Sequence, residues 1–284
     1  MHIANLFNTG SLPVSFEIFP PRGELGTEAA REVIGELAPL GPAFVSVTYS
    51  AGGSGNTQRT IDVARIVKRD FNLTTMAHLT CMGATKEDVD AYLAQLKEAG
   101  VQNVLALRGD AVAGRQPIDF HFAKDLIPHV REAGFCVGAA AYPEGHIDCL
   151  DFNTSIQHLK QKQDAGAEFF VTQLFFDNNY AYRFLDAARK AGITVPITFG
   201  IMPFLSKDQI SRMVFMCGAS LPSPIIKLLA HYENDPQALK QAGIEYACGQ
   251  LADLAAHGVD GVHVYTMNKL EIAQAAVNAL ARYR

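Results

Sequence analysis

Eight short apolar runs, separated by amphipathic segments, constrain the fold of this chain more than any other feature. They cover residues 14–19, 44–49, 74–81, 103–108, 136–142, 169–176, 196–202 and 262–265. The centres of the first seven lie about thirty residues apart, the length of one βα unit. Several runs are apolar on both faces, as parallel strands covered by helices must be. The intervening segments carry helix punctuation. Thr85-Lys86-Glu87-Asp88 has the form of a capping box. Val89, Tyr92, Leu93 and Leu96 then share one helical face, and Gly100 ends the segment. Segments 151–166, 180–192 and 269–284 behave similarly, and Ser206-Lys207-Asp208-Gln209 is a second box. The interval before the eighth run is about twice the others. It holds Leu221-Pro222-Ser223-Pro224 and Asp235-Pro236, which predicts an extra helical element before the last strand. Eight such units in 284 residues predict an α/β fold, a (β/α)8 TIM barrel forming one domain over 1–284. An open doubly wound sheet would show G-x-G-x-x-G after its first strand, and here that strand ends in Pro20-Pro21-Arg22. Gly52-Gly53-Ser54-Gly55 lacks that spacing and reads as a surface loop.

In a barrel of this kind the chemistry sits at the carboxyl ends of the strands. Those ends are polar almost all the way round. The first strand offers Glu17, the second Thr48 and Tyr49, the third His78 and Thr80. The fourth ends in Leu107-Arg108-Gly109-Asp110 and the fifth in Tyr142-Pro143-Glu144-Gly145-His146. The sixth carries Gln173 and Asp177, and the eighth Tyr265, Asn268 and Lys269. Polarity gathered at one rim indicates a single ligand-filled mouth. Glu17 is the sharpest of these signals, because an ionised carboxylate inside an apolar run costs several kcal/mol unless it is paired or protonated. A general acid working near neutral pH needs such a setting. The bland reading of each residue is a local bond: Arg108 with Asp110, Gln209 with its own cap, Lys162 with solvent.

Composition excludes several classes. Hydrophobic residues make up 49% and charged residues 19%, a globular balance. The net charge of −5 disfavours a nucleic-acid surface, while a local basic pocket for a phosphate or polyglutamate stays compatible. No basic stretch followed by an apolar run opens the chain, and no segment reaches the length of a membrane span. The five cysteines form no C-x-x-C pair, which predicts reduced thiols and a cytoplasmic location. No H-E-x-x-H or Cys/His spacing predicts a catalytic metal, and no G-x-S-x-G predicts acyl transfer.

Seven stretches resemble the methylenetetrahydrofolate reductase family, in the family's order and over nearly the whole chain. They are Phe16-Glu17-Ile18-Phe19-Pro20-Pro21-Arg22, Phe44-Val45-Ser46-Val47-Thr48-Tyr49, Ala77-His78-Leu79-Thr80-Cys81, Leu107-Arg108-Gly109-Asp110, Ala141-Tyr142-Pro143-Glu144-Gly145-His146, Thr172-Gln173-Leu174-Phe175-Phe176-Asp177 and Tyr265-Thr266-Met267-Asn268-Lys269. The length is similar to that of the bacterial catalytic-domain form. The resemblance implies a barrel that binds FAD at its mouth. NADH or NADPH reduces the flavin, and the flavin then reduces 5,10-methylenetetrahydrofolate to 5-methyltetrahydrofolate, for methionine synthesis, in ping-pong fashion. It also implies a homo-oligomer. By resemblance Glu17 is the general acid on the folate nitrogen, and Asp110 sits between flavin and pterin. Thr48, Tyr49, His78, Arg108, Gly109, Asp110, Ala123, Tyr142, His146, Ser155, His158 and Lys162 line the cofactor site, and Gln173, Gln209 and Lys269 hold the folate.

The chain departs from the family on its fifth helix. An aspartate, an asparagine and an arginine usually face the cofactor there, and this sequence has Ser155, His158 and Gln161. That exchange implies weaker FAD retention. Met213 stands where an aromatic would stack on folate, and Lys269 where arginine is commoner. Three other readings compete: a flavin-independent reductase with direct hydride transfer, a non-catalytic folate-binding barrel, and a barrel lyase. A Schiff-base lyase would need a lysine within a strand, and none of the eight runs has one.

Overall fold

The alternation of apolar runs and amphipathic segments closes into a ring. The computed structural model describes residues 1–7, 9–21, 26–49, 57–110 and 116–284. Arg22 and the glycine-rich stretch 52–55 lie outside the described residues. The strands are β1 (Val14–Ile18), β2 (Val45–Val47), β3 (Thr75–Thr80), β4 (Asn103–Leu107), β5 (Cys136–Ala141), β6 (Phe169–Thr172), β7 (Ile197–Ile201) and β8 (Gly261–Tyr265). Each pairs in parallel with its sequence neighbours, and β1 pairs with β8, so the sheet is a closed barrel. The (β/α)8 expectation therefore holds.

Around the barrel run α1 (Gly26–Leu37), α2 (Thr57–Arg69), α3 (Lys86–Ala99), α4 (Ala123–Glu132), α5 (Phe152–Asp164), α6 (Asn178–Lys190), α7 (Lys207–Cys217), α8 (Ser223–His231), α9 (Pro236–Ala256) and α10 (Leu270–Ala279). Helix α3 starts on a reciprocal box in which Thr85 accepts from the Asp88 amide and Asp88 accepts from the Thr85 amide. It stops at Gly100, whose left-handed φ of 81° suits glycine. The long interval before β8 holds α7, α8 and α9, which supplies the extra helical element.

The strands divide their side chains between two cores, as the two-residue period requires. One set, including Phe16, Val47, Leu79, Val104, Phe170 and Phe199, packs outward under the helices. The inward set at the amino-terminal end is Phe44, Met76, Leu105, Cys136, Phe169 and Val171, closed from below by Ile3 and Phe7. Fully burying each phenylalanine contributes roughly 1.5–3 kcal/mol. The barrel is thus closed by apolar side chains at that end, and Glu17 lies toward the other.

Several strands are shorter than their apolar runs. The run at 169–176 pairs only as far as Thr172. Beyond it, Leu174 and Phe176 turn into a third cluster with Met202, Phe204, Ile210 and Ile225 under α7 and α8. Burial there needs no ladder, so hydrophobicity overran the strand.

Candidate functional site

Glu17 sits at the carboxyl end of β1, with Ser46 of β2 and Tyr265 of β8 as its register partners. Its side chain keeps 18% exposure. One carboxylate oxygen meets two histidines: Oε2 lies 3.4 Å from His263 Nε2 and 3.6 Å from His78 Nε2. Each imidazole is held in turn by a serine. Ser15 Oγ is 2.7 Å from His263 Nδ1, and Ser46 Oγ is 2.6 Å from His78 Nε2. A continuous polar chain Ser15–His263–Glu17–His78–Ser46 therefore crosses the inner face of β8, β1, β2 and β3. It answers the question raised by a carboxylate in an apolar run: His263 bonds it and His78 flanks it.

The groups in this chain are unequal. Burial pushes His78 down to about 4, with Glu17 opposing and His263 adding to the drop, so this imidazole is neutral at neutral pH. Tyr265 donates its hydroxyl to Thr172 O at 2.9 Å, and burial followed by the Glu17 charge pushes it up. The β1–β8 seam is pinned just above. Thr266 Oγ1 donates to Glu17 O at 2.6 Å, and Asn268 bonds both the amide and the carbonyl of Phe19. Met267 and Asn268 adopt left-handed φ values of 52° and 56° to bring that side chain round.

A second part of the rim is a cavity of ≈ 200 Å³ between β4, β5, α4 and α5. Arg108, Lys124 and Lys162 supply its cations, and Phe122, Tyr142 and Leu159 supply apolar wall. Arg108 does not pair with Asp110; its Nη2 binds Asp148 Oδ2 at 2.7 Å. Lys162 is not solvated either. Its Nζ donates to Ala140 O at 2.7 Å and lies 5.2 Å from the Tyr142 ring centre. Burial, then Arg108, pushes this ammonium down to about 8. Lys124 is exposed and, among the described residues, bonds a neutral amide, Gln161 Oε1, at 2.9 Å. Burial pushes Tyr142 up to about 12 and lowers His146, whose ring stands edge-on to Tyr142 at 4.6 Å.

The residues singled out in the sequence divide between these two parts and their surroundings. Arg108, Ala123, Tyr142, His146, Ser155, His158, Gln161 and Lys162 all line the cavity. Among the described residues Thr48, Tyr49, His78, Gly109 and Asp110 do not. His78 belongs to the Glu17 chain, and Tyr49 bonds Thr57 Oγ1 at 3.0 Å. Asp110 is exposed, with its charge bearing on Tyr142 and Cys217. Gly109 turns the chain there with φ 87°, and a Cβ would stand 3.0 Å from Thr80 Cβ.

The residues expected to hold folate are less converged. Gln173 Oε1 accepts from the Leu174 amide at 2.9 Å. Gln209 reaches past its cap to the Leu205 amide, which leaves its buried Nε2 without a hydrogen-bond partner. Met213 packs in the cluster under α7, and Lys269 is an exposed residue at the start of α10. Sequence reasoning passed over Ser15, His263, Lys124 and Asp148. For the first two the alternation of β1 and β8 carried a signal, since both fall on the Glu17 face.

Comparison with known proteins decides the family. A family model described as Methylenetetrahydrofolate reductase matches residues 2–281. The chain belongs to the methylenetetrahydrofolate reductase family. The 5,10-methylenetetrahydrofolate reductase of Pectobacterium carotovorum is 35% identical over 272 residues, covering 95% of this chain and 91% of that protein. Methylenetetrahydrofolate reductase (NADH) 1 of Arabidopsis thaliana is 34% identical over 283 residues, 94% of this chain and 48% of that one. The chain spans about half the length of the eukaryotic reductases it matches. An uncharacterised Clostridium thermocellum protein that binds two copies of 5-methyl-5,6,7,8-tetrahydrofolic acid shares the fold. Its TM-score is 0.69 at 15% identity, over 98% of this chain and 97% of that one.

Proposed function

We propose that this reductase-family chain converts 5,10-methylenetetrahydrofolate to 5-methyltetrahydrofolate with NAD(P)H, using FAD held in the β4–α5 cavity. The observation that carries the proposal is the partly buried Glu17 carboxylate, flanked at 3.4 and 3.6 Å by two histidines on the polar rim of the barrel. The chemistry asks for one proton at the folate nitrogen, so that the five-membered ring opens to an iminium. Glu17 Oε2 supplies it. Ser15 and His263 hold the carboxyl in place, and His263 Nε2 is the nearest group from which the proton can be replaced. The neutral His78 lies 3.6 Å from the same oxygen and adds no charge beside it.

The cavity fits a flavin dinucleotide by its donor set. It combines an aromatic and aliphatic wall with Arg108, Lys124 and Lys162, which among the described lining residues outnumber the carboxylate of Asp148. Bound there, FAD would accept a hydride from the nicotinamide and later deliver it to the folate carbon. Tyr142, His146 and Ala123 would give the cofactor packing surface, and Lys124 and Lys162 would face its phosphates. Ser155, His158 and Gln161 contribute no charged bond, so retention rests on α4 and on Lys162. Asp110, Gln173, Gln209 and Lys269 are the proposed folate contacts. The orphaned Gln209 Nε2 is a donor awaiting an acceptor.

NADH is favoured as donor by the plant relatives whose names carry it. Among the described residues no helix is long and apolar enough to cross a membrane, in keeping with a cytoplasmic enzyme. A homo-oligomer is part of the same proposal. The absence of a charge at Ser155 and Gln161 favours one second reading, direct hydride transfer without flavin.

Glu17→Gln tests the assignment. It should abolish folate reduction while leaving reduction of bound flavin by NADH intact, because only the folate half needs the acid. Equal loss of both half-reactions in a folded variant would show the role to be wrong.

A further inference from the structure

The closed end of the barrel holds a second group of chemically active side chains, at the opposite end from Glu17. His2, Cys136 and Glu168 come from three separate places: the segment beneath the barrel, the first residue of β5, and the residue just before β6. One imidazole nitrogen, one sulfur and one carboxylate oxygen lie within 4.8 Å of one another. We propose that these three residues form a binding site for a divalent zinc-class cation, which fastens the segment carrying His2 across the closed end of the barrel.

The donor set suits that cation. Nitrogen, thiolate sulfur and carboxylate oxygen are the three ligand types zinc accepts, with a fourth position left for water. A tetrahedral shell with bonds of ~2.0–2.3 Å has ligand–ligand edges of roughly 3.5 Å, so a small side-chain movement closes the triad. Charge balances as well. One thiolate and one carboxylate neutralise a dication, which suits a buried sulfur clustered with Phe44, Phe169 and Met76. The thiol proton leaves to solvent as the metal–sulfur bond forms. Burial holds the free Cys136 thiol up at about 12, so no thiolate forms there unless a cation displaces the proton.

Two of the ligands stand in places already held by their neighbours. Glu168 donates its amide to Val137 O at 2.8 Å, and its Oε1 accepts from the Val137 amide at 3.1 Å, which leaves the second oxygen for a cation. Asn103 grips the backbone on both sides of His2, accepting from the Ile3 amide at 2.8 Å and donating to Met1 O at 3.1 Å. Asn103 Nδ2 also reaches Thr75 O at 3.0 Å, so the grip is anchored in β3. Bonds behind the ligands that fix their direction are what built metal sites require. In the sequence the ligands stand at 2, 136 and 168, with no short spacing to reveal them.

The test uses the full chain, stripped with a chelator and titrated with Co²⁺ as a spectroscopic probe. One equivalent should bind with a near-ultraviolet thiolate-to-cobalt band. The band should vanish in Cys136→Ser, persist in Cys248→Ser, and need at least about tenfold more Co²⁺ in His2→Ala. Zn²⁺ should raise the thermal midpoint of the wild type and of Cys248→Ser, and leave that of Cys136→Ser unmoved. No band at any Co²⁺ concentration, or a band that survives Cys136→Ser, overturns the site and leaves a simple thiol–carboxylate hydrogen bond. Should Cys136→Ser fail to fold, the partly exposed His2→Ala carries the same test: unchanged Co²⁺ affinity would overturn the proposal.

Discussion

Replacing His78 with glutamine should make the protein less sensitive to acid. In the folded state burial holds this imidazole at about 4, against the ordinary 6.5. Between those two values the unfolded chain binds a proton that the folded chain refuses. Stability therefore falls as pH drops through about 6.5, and the loss is complete below about 4. A drop from 6.5 to about 4, at 1.36 kcal/mol per unit, amounts to about 3 kcal/mol. Between about pH 7.5 and about pH 5 the same two values give about 2 kcal/mol. Glutamine can keep a hydrogen bond to Ser46 Oγ and has nothing to titrate. The assay is urea unfolding followed by circular dichroism at both pH values, for wild type and His78→Gln. The wild type should lose about 2 kcal/mol more on acidification than the variant. The comparison is a difference of differences, so a lower absolute stability of the variant does not affect it. Equal acid sensitivity in the two proteins would refute the view that His78 is held neutral by burial.

Other parts of the account can be tested separately. Lys124→Ala removes the exposed cavity cation and should weaken FAD binding about tenfold, read by quenching of flavin fluorescence. The deficit should shrink at high salt, and an unchanged affinity would take Lys124 out of the site. Gly109→Ala meets both a left-handed φ and a Cβ 3.0 Å from Thr80, so it should cost roughly 1–3 kcal/mol. A thermal melt shows it, and a wild-type midpoint would contradict the strain. Asn268→Ala frees the Phe19 backbone from two hydrogen bonds and should cost about 1–2 kcal/mol. The same melt, with no change in midpoint, would show that the seam does not depend on it.

The barrel was legible because its cause is local: apolar strands and punctuated helices repeat at one period, and the first strand lacks the G-x-G-x-x-G of an open doubly wound sheet. Glu17 was legible for a similar reason, as a charge in a run where none is expected. Its partners were harder to see. His263 and Ser15 neighbour Glu17 only through the β1–β8 seam, which joins residues far apart in the chain. Strand register, rather than any motif, brings them together. Arg108 illustrates the opposite error: proximity in sequence pointed to Asp110, while the turn at Gly109 directs the guanidinium to Asp148. Lys162 reads as a solvated helix lysine until α5 is docked on β5, where Ala140 O takes its proton donor. Stretches such as 169–176 were overextended because hydrophobicity reports burial, and burial continues past Thr172 into the cluster under α7.

The central claim is that one rim of this barrel serves both a flavin and a folate. An absorption titration tests it most directly. The protein is loaded with FAD, treated with NADH without oxygen, and then given 5,10-methylenetetrahydrofolate. The account predicts a bound flavin band that bleaches with NADH and returns with the folate. If no flavin binds while NADH is still consumed with the folate, the transfer is direct and the cavity lined by Ser155, His158 and Gln161 is not a flavin site.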